Sequence, residues 1–301
     1  GYLRPRQTGP LTAEQDALIA RVCPGLGQRV VAGGRQDPVL WGPHVSMQTG
    51  WATDPDLRHA ASSGGALSAI LVHLLDSGTV DAVIETTGHP GHPARNATVI
   101  TADAAAVLAA AGSRYAPSAP LDGLAARIAD GRRFAFVGKP CDVAALRAIT
   151  VMNPEAARAF PVILSFFCAG VPSHAGGQAV LTALGAEDAV AFRYRGMGWP
   201  GLATATRPDG AEASMTYHES WGGILSRHVQ HRCKICADGT GTAADIVCAD
   251  AWESDAKGYP LFTEAPGVSL IVARTPLGEA LIAGAKAAGR NRVEVAPLAG
   301  S

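Results

Sequence analysis

The 301-residue sequence contains no apolar run of the roughly 18 residues that a membrane-spanning helix requires. The longest apolar stretch, Ala66 to Leu75, is interrupted by Ser68 and His73. There is no surplus of one charge either: 25 Lys and Arg face 26 Asp and Glu, and the pI is about 6.8. A broad nucleic-acid surface needs a basic excess, so that class of function is excluded. Local basic clusters do occur, for example Arg227 to Lys234, and they suit an anionic cofactor or an acidic partner better than a duplex. Internal repeats and low-complexity segments are absent. Gly1 to Gly9 is polar, carries Arg4 and Arg6, and does not read as a secretory leader. Six cysteines without secretory features point to reduced thiols or metal ligands, not to a disulfide scaffold. The cytoplasm is the expected compartment, and the missing initial Met is consistent with a processed product.

What is present is apolar residues, 48% of the chain, enough for one large domain or a main domain with appendages. Residues 1–42 are rich in Gly, Pro and Arg and read as an N-terminal arm over a core. One helix is expected there, Ala13 to Val22, capped by Thr12 with Glu14 in its first turn. From Arg58 onward, helical and strand signals alternate. Helices are expected from Gly65 to Asp76, Ala102 to Ala111, Asp142 to Ile149 and His174 to Leu184. Strands are expected at Val80 to Glu85, Phe134 to Val137 and Val162 to Phe167. Beyond residue 188 the strand signals are Ala189 to Tyr194, Ala203 to Thr206, Glu212 to Tyr217, Asp245 to Trp252 and Gly267 to Arg274. A final helix, Pro276 to Ala288, has Pro near its start and Gly289 just past its end. The expected fold is α/β: a mixed sheet flanked by helices over residues 43–301, with the arm and a cysteine-bearing loop region added.

Four cysteines carry the sharpest chemistry. Cys141 and Cys168 each end a β-prone apolar run, and Cys233-Lys234-Ile235-Cys236 is a CxxC among Arg, His and Gly. A CxxC alone serves a redox disulfide, half a zinc site or half a cluster site. The thioredoxin-like use lacks its strand–CxxC–helix context here. A structural zinc site usually takes two closely spaced ligand pairs, whereas two of these ligands come singly from separate strand ends. The residues alone therefore leave an iron–sulfur cluster, zinc and unligated thiols open. Cys23 and Cys248 read as spare thiols, Cys248 as a small buried hydrophobe in Ile246-Val247-Cys248-Ala249.

Other motifs are weaker. Ser62-Ser63-Gly64-Gly65 puts hydroxyls and unhindered amides at a helix start, a geometry that receives a phosphate or flavin edge but equally serves as an ordinary cap. In Gly112-Ser113-Arg114-Tyr115 an Arg and a Tyr sit beside a flexible pair, suited to clamping a phosphate or simply forming a polar loop. Lys139, His59 and Tyr115 are proton-donor candidates, and His231 neighbours the CxxC. Asp245, Asp250, Glu253 and Asp255 either orient a cofactor or form a solvated acidic face. Loops 86–101 and 195–202 are expected to fold over the site, with Arg193, Tyr194, Arg195, Trp199 and Trp221 as walls or ordinary core.

These motifs, in this order, resemble the coenzyme F420 hydrogenase/dehydrogenase beta-subunit family over roughly residues 43 to 290. The match comprises Arg58 to Gly65, Gly112 to Tyr115, Gly138 to Asp142, Phe167 to Gly170, Cys233 to Asp238, Ala244-Asp245-Ile246 with Ala249 to Trp252, and Gly267-Val268-Ser269 with Arg274-Thr275. The resemblance implies an FAD-binding α/β core and a 4Fe-4S cluster on Cys141, Cys168, Cys233 and Cys236. Ser62, Ser63, Gly64, Gly65, Ser113, Arg114, Tyr115 and Lys139 would serve the flavin. It further implies an oxidoreductase passing electrons between an iron–sulfur donor such as ferredoxin and a hydride-type acceptor, the deazaflavin coenzyme F420 or another planar molecule; relatives acting on tetrapyrroles are known. The implied partners are a ferredoxin-like donor or a partner redox subunit and a small-molecule acceptor, with oligomers allowed. Many members carry an N-terminal ferredoxin-like segment, and Gly1-Tyr2-Leu3-Arg4-Pro5 resembles the sequence that follows one. Cys248 departs from the family, which often has a smaller residue there. Two other readings stand beside this one: an electron-transfer subunit without a substrate site, with an exposed flavin edge or cluster surface, and a zinc-stabilised binding protein without redox chemistry.

Overall fold

The computed structural model describes residues 1–28, 30–288 and 293–297, the last as backbone only. The arm holds α1 (Ala13–Val22), and the core opens with β1 (Ser46–Ala52), α2 (Pro55–Ala60) and α3 (Ala66–Asp76). A hairpin of β2 (Ala82–His89) and β3 (His92–Thr101) leads to α4 (Ala104–Ala110) and α5 (Leu124–Ala129). Then come β4 (Phe134–Gly138), α6 (Pro140–Met152), α7 (Pro154–Ala159), β5 (Val162–Phe166) and α8 (His174–Ala183). A small sheet follows, β6 (Ala191–Arg193), β7 (Ala203–Thr206) and β8 (Glu212–Met215), then a π-helical turn at His218–Ile224 and a 3-10 turn at Leu225–His228. The chain ends with α9 (His231–Lys234), β9 (Ile246–Asp250), β10 (Ser269–Ala273), α10 (Pro276–Ala287) and β11 (Val293–Pro297).

Among the described residues, eight strands form one mixed sheet in the order β11-β1-β10-β9-β5-β4-β2-β3. The four central strands β9, β5, β4 and β2 are parallel, and antiparallel strands complete both sides. Parallel strands covered on both faces must be apolar on both. β4 shows this: Phe134, Ala135, Phe136, Val137 and Gly138 are all buried. Its side chains alternate between two clusters. Ala135 and Val137 join Ile70, Leu71 and Leu74 of α3, Val107 of α4 and Ile282 of α10. Phe134 and Phe136 join Val143 and Leu146 of α6 and Phe160 after α7. Each such side chain is worth about 1.5–3 kcal/mol of burial. A third cluster lies between α8, the small sheet and the π-helical turn, around Val180, Leu181, Phe192, Tyr194 and Leu225.

Most expected elements are present within two or three residues of their expected ends. α1 has the expected bounds, and Thr12 closes a capping box with Gln15. None of its residues is buried, so α1 lies on the surface, against α6. The expected loop 86–101 is instead the end of β2 and the edge strand β3, which reverses at Pro90-Gly91 and pairs Val83 to Gly88 with Thr101 to Asn96. Its residues are mostly half-buried, so it lacks the continuous apolar run that marks the central strands. β1 has the same mixed burial and likewise gives no strong sequence signal. Gly289, expected past the last helix, lies outside the described residues.

Candidate functional site

In an open α/β sheet, ligands gather outside the carboxyl ends of the parallel strands. Here that edge collects the Cys141, Cys168, Ser62 to Gly65 and Gly267 to Ser269 motifs, whereas Asp245 and Arg274 lie at the opposite ends of β9 and β10. β4 ends at Gly138 and runs through Lys139 into α6, whose first turn carries Cys141. β5 ends at Phe166, two residues before Cys168. β9 ends at Asp250, paired with Ser269 at the start of β10, and Ser63 and Ser269 are hydrogen-bonded at 3.3 Å.

The thiols come from three separated segments held together by backbone bonds. The Cys168 amide donates to Gly239 O at 2.9 Å, which fastens the end of β5 to the loop beyond the CxxC. On the other side, Pro172 and Val229 form a β-bridge. Gly170 adopts φ +114°, and a Cβ there would lie 3.1 Å from Cys233 Cβ and 2.6 Å from Val229 Cγ1. Glycine at 170 is what lets the two segments touch. Asp238 then shapes the loop: its buried carboxylate accepts from the Gly241 amide at 2.8 Å, from Gln28 Nε2 at 2.8 Å and from Thr242 Oγ1 at 3.0 Å.

All six cysteines are free. Burial by surrounding protein pushes the Cys141 thiol up to about 12, although its side chain reaches the surface. The Asp142 charge adds to this, Lys139 opposes it, and Cys168 and Cys233 lie within electrostatic reach. Cys168 is also raised, mainly by burial, and feels both Cys233 and Cys236. Cys141 with Cys168 and Cys233, and Cys168 with Cys233 and Cys236, are therefore within electrostatic reach of one another. Among the described residues no three His, Cys, Asp or Glu side chains close around a single ion. Tetrahedral zinc would draw thiolates to within about 4 Å of one another, given Zn–S of about 2.3 Å. In a four-iron cluster each thiolate binds a different iron. Four soft donors drawn from three segments fit a soft-metal centre of either kind.

The residues expected at a flavin are at the same edge, but several side chains are already engaged. Arg114 gives Nη1 to Phe192 O at 2.7 Å, Nη2 to Pro93 O and Arg95 O at 2.7 Å each, and Nε to Asn96 Oδ1 at 3.1 Å. It packs over the Tyr194 ring at 5.0 Å and ties the small sheet to β3. Ser63 Oγ donates to Val268 O at 2.9 Å, and a Cβ on Gly64 would come within 2.7 Å of Ser269 N. Ser62 Oγ accepts the Ser113 amide, joining the two loops. Gly65 caps α3 without a side-chain bond, which leaves backbone amides as the donors on offer. Lys139 Nζ is held by Asp142 Oδ2 at 2.6 Å and Ser118 Oγ at 2.7 Å. His59 and His231 are exposed.

A second polar centre was not legible as a unit. Arg195, 2% exposed, forms a bidentate pair with Asp250 at 2.8 and 3.1 Å and donates Nε to Pro200 O at 2.7 Å. Trp199 Nε1 also reaches Asp250, at 3.2 Å, and the guanidinium lies 4.8 Å from the Tyr217 ring centre and 5.5 Å from that of Trp252. Burial works against the Arg195 charge, but Tyr115 and Asp250 outweigh it and hold its pKa above the ordinary value. Tyr115 also packs 4.8 Å from Trp221, between this centre and the third core cluster. Tyr194 and Trp221 pack in the third core cluster, whereas Arg195 and Trp199 belong to the charged centre. Asp245 is structural as well: it accepts from the Ile163 amide and Thr275 Oγ1 at 2.9 Å each and pairs with Arg147 at 2.8 Å. Glu253 and Asp255 are exposed.

Fold and site together define an α/β protein with a four-thiol centre at the carboxyl edge of its sheet. Two models of the coenzyme F420 hydrogenase/dehydrogenase beta subunit match most of the chain, the N-terminal one over residues 47–125 and the C-terminal one over residues 131–298. The chain belongs to this family of redox-enzyme subunits. Its fold is also similar to a chain in the xenon-derivatised F420-reducing NiFe hydrogenase complex from Methanosarcina barkeri. The TM-score is 0.65 at 20% identity, covering 85% of this chain and 82% of that one. That likeness concerns the fold alone. No curated protein matches the sequence, and no described helix is long and apolar enough to cross a membrane.

Proposed function

We propose that this chain is an iron–sulfur flavoprotein oxidoreductase that moves electrons between an iron–sulfur donor and a hydride-type acceptor, coenzyme F420 or another planar molecule. The observation that carries the reading is the meeting of Cys141, Cys168, Cys233 and Cys236, all free, from three segments at one sheet edge. These four would hold a 4Fe-4S cluster. The Ser62 to Gly65 turn, the Ser113 to Tyr115 loop and Lys139 would frame FAD, with backbone amides as the main contacts. Bound there, the cluster supplies one-electron transfer, and the flavin couples it to two-electron hydride chemistry.

The chain's own residues fix the geometry and the local charge. The Lys139–Asp142 pair sets the start of α6 and hence the place of Cys141. Asp238 holds the loop after Cys236, and the Gly170 contact brings Cys168 against Cys233. Arg195 places positive charge beneath the Ser62 turn, where it donates to Ser62 O. A second reading, an electron-transfer subunit docked on a catalytic partner, is favoured by the exposure of Cys141 and Cys236. A recess of about 370 Å³, lined by Leu3, Asn96, Thr98 and Ser118 among others, touches the site through Ser118, the partner of Lys139, and Asn96, the partner of Arg114.

Anaerobic purification with a visible spectrum and assays of iron, sulfide, zinc and flavin tests the proposal. About four irons with one FAD per chain supports it. Zinc without iron or flavin replaces it with a structural or binding role. Turnover of the loaded chain with a chemical donor and candidate acceptors then separates the enzyme from the electron-transfer subunit.

A further inference from the structure

Charge over the whole chain is almost balanced, but around the CxxC it is not. Between Glu219 and Asp238 there is no acidic residue, while Arg227, Arg232 and Lys234 fall in that span. All three are exposed, as is His231. Asp238 offers no counter-charge at the surface, because its buried carboxylate is taken by loop donors. The N-terminal arm adds another cation: Arg4 Nη1 binds Gln230 Oε1 at 2.9 Å, and Tyr2 Oη binds His228 O at 2.6 Å. On the other side, Arg232 Nη2 donates to Pro24 O at 3.1 Å, so the arm braces the segment twice. In the middle stands Ile235, 64% exposed, between two cysteines of the thiol centre.

A bare apolar side chain in a segment that carries exposed cations and no acid has the anatomy of a small transient interface: an apolar centre for contact and a charged rim for steering. A duplex-binding surface would instead need an extended basic stripe and a basic chain. We propose that Arg4, Arg227, Arg232 and Lys234 around Ile235 form the docking face for a small acidic electron-carrier protein. The partner's class rests on the redox reading above; the docking itself is a binding event that can be measured without turnover. Contact centred on Ile235 sets the carrier over the CxxC, beside the exposed Cys236. The arm then has a role: it presents Arg4 and steadies the rim.

The test is the association of the full, anaerobically purified chain with an acidic plant-type ferredoxin, followed by interferometry at low ionic strength and at about 0.3 M salt, where the Debye length is well under 10 Å. Expected is salt-sensitive binding whose association rate falls about ten-fold or more in the R232Q/K234Q variant and in the R227E variant. Ile235→Asp should shorten the lifetime of the complex. R227E, outside the CxxC, should keep the wild-type melting temperature, iron content and rate of reduction by dithionite, which needs no docking face; R232Q/K234Q and Ile235→Asp are compared with wild type at matched iron content. The proposal is overturned if wild type does not bind ferredoxin at low salt, or if binding is indifferent to salt and to these substitutions. It is also overturned if duplex DNA displaces the ferredoxin. Charge-dependent binding by a chain lacking iron and flavin would sink the redox reading and leave the docking face standing. A fully loaded chain with indifferent binding would do the reverse.

Discussion

Glu85 offers a sharp test of the packing described above, because the fold buries its carboxyl group without a cation among the described residues. It lies on β2 at 6% exposure, its partner is Thr101, whose Oγ1 donates to Oε1 at 2.7 Å, and burial pushes its pKa from 4.5 up to about 7. The folded state thus holds a proton that the unfolded chain has released between those two values. Stability is fully present below pH 4.5 and is lost as pH rises through 7, with a slope of about 1.4 kcal/mol per pH unit in between. The full loss is roughly 3 kcal/mol, an order-of-magnitude figure. Glu85→Gln keeps the shape and the acceptor for Thr101 but cannot ionise. The variant should match wild type or fall slightly below it at pH 4.5, then exceed it by about 2–3 kcal/mol at pH 8. Parallel urea unfolding at both pH values, followed by tryptophan fluorescence, reads the difference. A stability difference that does not change with pH would refute the reasoning, since it would mean Glu85 ionises freely in the fold.

Asp250→Asn should cost about 3 kcal/mol, because it leaves the buried Arg195 guanidinium without its carboxylate; thermal unfolding at matched cofactor content measures it. Gly278→Ala should largely prevent folding, because the new Cβ would lie 2.0 Å from the Asp245 carbonyl oxygen; soluble yield and circular dichroism decide, and a folded variant would contradict the packing of α10 on β9. Cys168→Ser should strip most of the iron from the anaerobic protein. Cys248→Ala, at a thiol only 5% exposed, should keep the iron and cost only about 1 kcal/mol. Loss of iron from both variants would mean that the four-thiol assignment is wrong.

The central strands were legible because their information is local. Phe134 to Val137 and Val162 to Phe166 are continuous apolar runs, as burial on both faces demands. α1 was legible through Thr12, which does cap it. β3 was not, because it is the edge strand, half-buried along most of its length, and its pattern is that of a surface loop. The Arg195–Asp250 pair was invisible for another reason: its partners are 55 residues apart, and only the return of the chain after the small sheet brings them together.

The motifs at the sheet edge divide by how many uses their residue types have. Gly, Ser and Arg serve ligand contact and scaffold packing equally well. In this fold Gly64 admits the β10 backbone, Ser63 ties down Val268, and Arg114 spends its whole guanidinium on three carbonyls and an amide oxygen. Their short-range pattern matches a phosphate cradle, and only the tertiary structure shows what already fills it. A free cysteine has fewer alternatives: burial as a small hydrophobe, a disulfide, or a soft ion. Cys248 takes the first option inside β9, and no cysteine takes the second. Cys141 and Cys236 are exposed, Cys168 and Cys233 are only partly covered, and all four stand near one another at the end of the sheet. Neither packing nor cross-linking accounts for such a group, and so the thiols, rather than the more familiar Gly-Ser turn, carry the functional argument.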